Sequence, residues 1–131
     1  MRNISTKTHG FIEYALALIL WFAPTIFNFE QVGGPAVYIP RAVALALVVL
    51  SLITNFELGV LKLVPMRTHL MIDYVMSVAL AASPFLFGFN TFEPRVWMPH
   101  LIAGIAYLAV SLMTDKDPDY VHHHGSSHAH A

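Results

Sequence analysis

The sequence predicts an all-α membrane protein: four transmembrane helices built as two tandem two-helix repeats about a pseudo-two-fold axis along the membrane normal. Three observations carry that prediction. Of 131 residues, 56% are hydrophobic and only 11% charged, less than half the charged share of an ordinary soluble domain, which is about 25%. The apolar residues gather in four segments, 11–29, 36–54, 70–89 and 96–114, each close to the roughly 20 residues that cross a bilayer's hydrocarbon. Sliding the chain by 60 positions places Thr8, His9, Ile12, Tyr14, Leu20, Pro24, Phe27 and Phe29 on identical residues, Thr68, His69, Ile72, Tyr74, Leu80, Pro84, Phe87 and Phe89. Glu13 falls on Asp73, and the same offset later matches Ala46, Ser51, Leu52 and Thr54 to Ala106, Ser111, Leu112 and Thr114. A unit that crosses the membrane an even number of times returns to its starting side, so both copies point the same way and an axis along the normal relates them.

Taken in order, the first segment follows Arg2 and Lys7. It is longer than a signal-peptide core and lacks a small-residue cleavage pattern, so it is expected to stay as the first membrane helix. A soluble bundle would instead need charges recurring at a period of about 3.6 down each segment, and these are missing. Pro24 and Pro84 come late in the first helix of each unit and are expected to kink its outer third. Gly33, Gly34 and Pro35 break the chain before the second segment, and Tyr38 and Trp97 sit where aromatic belts form. Ala42, Ala44 and Ala46 in the second helix, and Ala103, Gly104 and Ala106 in the fourth, permit close approach within one chain or in a homo-oligomer. The expected transmembrane domain is 1–116, with repeat one at 8–56 and repeat two at 68–116, followed by a polar, disordered tail at 117–131.

Lys and Arg set the expected orientation. Arg2, Lys7, Lys62, Arg67 and Lys116 flank one side, against Arg41 and Arg95 on the other, which places both termini in the cytoplasm. The segment 57–66 is then a cytoplasmic connector whose Leu and Val lie against the membrane surface.

Ser83-Pro84-Phe85, near the end of the first helix of its unit, with its counterpart Ala23-Pro24-Thr25, resembles the SPW repeat of small bacterial membrane proteins. The resemblance spans residues 8–114 and departs at the third motif position, where Phe85 and Thr25 replace Trp. It implies a bacterial inner-membrane protein with no assigned reaction.

The polar residues inside these apolar segments are the functional candidates. Residues four apart share a helix face about 6 Å apart along the axis, so His9 with Glu13 and His69 with Asp73 form local pairs. If both faces turn inward, two imidazoles and two carboxylates converge near the cytoplasmic side, and the carboxylates should approach within about 8 Å, given metal–oxygen bonds near 2 Å. Such a set binds a divalent metal such as zinc, manganese or iron, or passes protons. The competing reading is structural: Thr8 and Thr68 cap helices that begin at His9 and His69, and the polar groups pair within each helix or crosswise, His9 with Asp73 and His69 with Glu13. Tyr14 and Tyr74, beside the acids, are expected to bond to the partner helix. Arg41 and His100, near the outer face, are expected to snorkel toward Glu30 or Glu93. In the tail, His122, His123, His124, His128 and His130 either chelate zinc, nickel or copper, as clustered imidazoles do without a fold, or belong to a solvated tail.

Several classes drop out. A net charge of −1 offers no basic patch for nucleic acid, and the absence of cysteine removes disulfides and thiolate chemistry. Nucleophile elbow, phosphate loop and zincin helix are missing, so an enzyme would have to work from the His and carboxylate set alone. Two functions stay open: small-ion, proton or metal handling at His9, Glu13, His69 and Asp73, or a structural, partner-binding module in the lipid bilayer.

Overall fold

The computed structural model describes residues 4–116. Four helices carry the fold: α1 (Thr6–Ile26), α2 (Pro35–Leu52), α3 (Met66–Leu86) and α4 (Pro94–Leu112), each long and apolar enough to cross a membrane. Each starts one to five residues before its apolar run. Ser5 Oγ accepts from the Thr8 amide at 3.1 Å, so Ser5, not Thr8, caps α1. Thr68 likewise lies inside α3, which begins after Pro65. His9 and His69 therefore sit about a turn inside their helices and do not open them. Pro35 and Pro94 occupy the first turns of α2 and α4, where the missing amide costs nothing.

Pro24 and Pro84 fall in the last turns of α1 and α3, which end two residues later. They act at the helix stop, where few further hydrogen bonds remain to be broken. Past each stop comes one left-handed residue at repeat-related positions, Asn28 (φ 56°) and Gly88 (φ 77°), the two residue types that tolerate it best.

Helix α1 packs on α2 and α3 on α4 as two hairpins, with α2–α3 and α1–α4 contacts closing the bundle. At Gly104 an added Cβ would lie 2.5 Å from the Ala81 amide nitrogen, so this small residue serves close packing of α4 on α3 within the chain. The core forms three layers. Ala23, Phe29, Ala36, Phe89 and Val96 fill one end; Ala17, Leu20, Ala44, Leu47, Leu80 and Tyr107 fill the middle; Phe56, Met66 and Leu70 fill the other end. Outside, Phe11, Leu18, Leu45, Val75, Ile102 and Ile105 are exposed, an apolar surface that suits lipid but not water.

The layer at Phe56 ends in two matching parallel bridges. Two-residue strands β1 (Thr54–Asn55) and β2 (Val64–Pro65) pair Thr54 with Val64. Ile4 pairs with Thr114 in the same sense, through Ile4 N–H to Met113 O at 2.9 Å and Asp115 N–H to Ile4 O at 2.8 Å. Shifting the first pair by 60, with partners exchanged, gives the second. The start of α1, the end of α4 and the connector therefore meet at one end of the bundle.

Candidate metal centre

That end holds the four polar residues, all at most 2% exposed. Helices α1 and α3 turn their His and acid faces toward each other. His9 Nε2 lies 2.7 Å from Glu13 Oε2 and 2.9 Å from Asp73 Oδ2; His69 Nε2 lies 2.7 Å from Glu13 Oε2 and 3.2 Å from Asp73 Oδ2. Each imidazole thus touches the acid of its own helix and the acid of the other. One ligand atom from each residue falls within 4.8 Å of all the rest, inside the expected limit. The imidazole planes stand at 79° with centroids 5.7 Å apart, so the nitrogens meet without stacked rings.

The outer faces of the imidazoles fix their inner faces. His9 Nδ1 is 2.8 Å from Thr114 Oγ1, and His69 Nδ1 is 2.6 Å from Thr54 Oγ1. Each threonine hydroxyl already donates its proton to a carbonyl one turn back, Thr114 to Val110 at 2.6 Å and Thr54 to Leu50 at 2.5 Å. With that proton engaged, the hydroxyl oxygen can only accept, so both Nδ1 atoms carry hydrogen and both Nε2 atoms point their variable site at the centre. An N–H held from outside by an acceptor is the arrangement that orients metal-binding histidine. The threonines are exchanged between repeats: Thr54 serves His69, and Thr114 serves His9. They match at the 60-residue offset, a signal present in the sequence, but a threonine near a helix end gives no hint of its acceptor role until the histidine is placed beside it.

The acids differ in their second oxygen. Asp73 Oδ1 accepts from the Tyr107 hydroxyl. Glu13 Oε1 is buried with no hydrogen-bond partner among the described residues, and the residue related to Tyr107 by the offset is Leu47. The sequence pairing could not show Tyr107 because it breaks the repeat.

The connector closes the centre from the bundle end. Phe56 is fully buried, lies 6.0 Å from the His69 ring and fills the space beside Gly10, where a Cβ would come within 2.5 Å of its ring. Thr6 donates to Glu57 Oε1 at 2.6 Å, and Tyr14 donates to Leu58 O at 3.2 Å. Tyr14 therefore bonds to the connector and not to a partner helix, because the connector folds back over α1. Tyr74 is half-buried and packs on the Phe56 layer. Val60, Leu61 and Leu63 face outward, as a membrane-surface segment requires.

At the opposite end, Arg41 reaches Glu30 Oε1 at 2.9 Å and lies over the Trp21 ring at 5.6 Å, the snorkelling contact expected of it. His100 behaves otherwise. It is buried between Phe29 and Phe89 and donates from Nε2 to Ala36 O at 2.9 Å. Pro40 lies four residues beyond Ala36 and has no amide to offer that carbonyl, so His100 on α4 supplies the missing donor. The same logic explains Ser83: Pro84 leaves Leu80 O without its helical partner, and Ser83 Oγ donates to it at 2.7 Å. His122, His123, His124, His128 and His130 lie outside the described residues.

The fold and its buried quartet define a multi-pass helical membrane protein with a polar centre at one end. Over residues 7–114 the chain matches the SPW repeat domain, and it belongs to that family. No curated protein and no solved structure matches it.

Proposed function

We propose that the chain is a divalent-cation-binding protein of the bacterial inner membrane, with one ion held by His9, Glu13, His69 and Asp73. The observation that carries this reading is the convergence of two Nε2 atoms, whose Nδ1–H groups are fixed by Thr54 and Thr114, on two buried carboxylates. Around an ion with bonds near 2.1 Å, adjacent ligand atoms stand about 3.0 to 3.4 Å apart, and the four nitrogen–oxygen contacts of 2.7 to 3.2 Å lie close to that spacing. Two imidazoles and two carboxylates suit zinc, manganese or ferrous iron. The charge also balances, since two buried carboxylates call for two positive charges and a divalent ion supplies both.

Binding, and not conduction, is the favoured activity. Beyond the centre the axis is filled by Leu20, Leu47 and Leu80, then by Phe29 and Phe89, which leaves no polar path among the described residues. Lys7, Lys62, Arg67 and Lys116 lie at the end that holds the centre, and this supports a cytoplasmic placement of that end and of both termini. The test is metal content by mass spectrometry for the protein purified in detergent. One equivalent of ion that disappears in Glu13→Gln combined with Asp73→Asn is the expected result. Equal metal in both forms would leave the quartet as an ion-paired clasp between hairpins.

A further inference from the structure

Between α1 and α4, beside Glu13, lies a cavity of about 60 Å³ lined by His9, Ile12, Glu13, Leu16, Ala106, Tyr107 and Val110. Roughly 10–15 Å³ suffices for one water molecule, so the cavity has room for water but not for an organic substrate. Its walls are apolar except on the side of the quartet. There it meets Glu13, 2% exposed, whose Oε1 has no hydrogen-bond partner among the described residues. A buried carboxylate oxygen without a donor is costly, and the cavity is where a donor can be placed. The related oxygen, Asp73 Oδ1, takes its hydrogen from Tyr107, and Leu47, at the position equivalent to Tyr107, has no hydroxyl to offer Glu13.

Resting on the cation-binding reading above, we propose that this cavity is an open coordination position: it holds a water, or another ligand of one or two heavy atoms bound through oxygen, on the metal ion. The water donates to Glu13 Oε1 and fills the role that Tyr107 fills for Asp73. Four protein ligands already close a tetrahedral zinc site, so the added position belongs to an ion that takes five or six ligands, such as Mn²⁺ or Fe²⁺. The departure from two-fold symmetry at position 47 against 107 leaves Glu13 Oε1, and not Asp73 Oδ1, in need of a donor. Phe56 shuts the bundle end, so the added ligand stands on the α1–α4 side.

Mn²⁺ alone, added to the full chain in detergent, is the probe, and the field dependence of water-proton relaxation reads water bound directly to the ion. The quantity is the part of the relaxation lost in Asp73→Asn, which removes any contribution from the histidine tail. An inner-sphere contribution in the unsubstituted protein is expected. Ala106→Leu, which fills the cavity, should abolish that contribution with Mn²⁺ still bound, and Ala46→Leu, at the repeat-related position, should leave it. Stoichiometric Mn²⁺ with outer-sphere relaxation only, in the unsubstituted protein, overturns the open position and leaves the cation site standing. An inner-sphere contribution that persists in a folded, Mn²⁺-loaded Ala106→Leu overturns its placement in this cavity. Absence of Mn²⁺, Zn²⁺ and Fe²⁺ binding in the unsubstituted protein overturns the cation site and the open position with it.

Discussion

Thr54 Oγ1 lies 2.6 Å from His69 Nδ1 and cannot be its donor, because the one hydroxyl proton goes to Leu50 O at 2.5 Å. This relationship, repeated by Thr114 and His9, decides which imidazole nitrogen faces the centre. Thr54→Val and Thr114→Val keep the shape and remove the acceptor. Each is expected to weaken divalent-ion affinity by about 10- to 100-fold, as loss of such outer partners does, whereas Thr→Ser at either position should retain most of it. Competition titrations with a chelating dye measure the difference.

Cation binding should release protons. Without an ion, each of the two Nε2 atoms needs a hydrogen to face its two carboxylate oxygens, and an ion displaces both hydrogens. About two protons per ion are expected, and apparent affinity should rise with pH, since protons and the ion compete for the same atoms. Calorimetry in buffers of different ionisation enthalpy counts the protons. A count of zero would contradict the assigned ligand set.

Phe56→Ala removes the plug between Gly10 and His69. A buried Phe cut to Ala costs about 3–5 kcal/mol where the site cannot collapse, so a lower unfolding temperature in detergent is expected. Loss of bound ion to an external chelator should also become faster, because the bundle end opens. Stopped-flow chelation separates this from the stability effect.

His100→Leu and Ser83→Ala test the donors supplied to carbonyls that proline leaves bare. Each should lower stability by about 1–3 kcal/mol, the cost of an unsatisfied buried acceptor, with no change in cation affinity. Thermal unfolding and metal titration of the same samples check both halves. A change in affinity for His100→Leu would tie the outer end to the centre.

The four spans were legible because length and hydropathy leave a chain of this composition few alternatives. The convergence of His9, Glu13, His69 and Asp73 was legible because the duplicated spacing and an axis along the normal put both pairs on facing helices. Other features depend on contacts between elements distant in sequence. Ser5 displaces Thr8 as the cap because the helix takes in a polar turn that hydropathy excludes. His100 reads as a snorkelling outer residue until Pro40 on another helix explains its partner. Tyr107 and the unpartnered Glu13 oxygen escape any argument from repetition, because they are where the two halves differ.

The exchanged bridges, Ile4 with Thr114 and Val64 with Thr54, bear on how the chain is strung. The described ends meet beside each other just as the two sides of the connector do, so the bundle is a nearly closed ring whose opening point is a matter of linkage. Joining the ends by a short linker and cutting between Val60 and Leu61, both exposed, should give a permuted chain with the same neighbours. Its four ligands and two threonines would assemble unchanged, with the second hairpin leading.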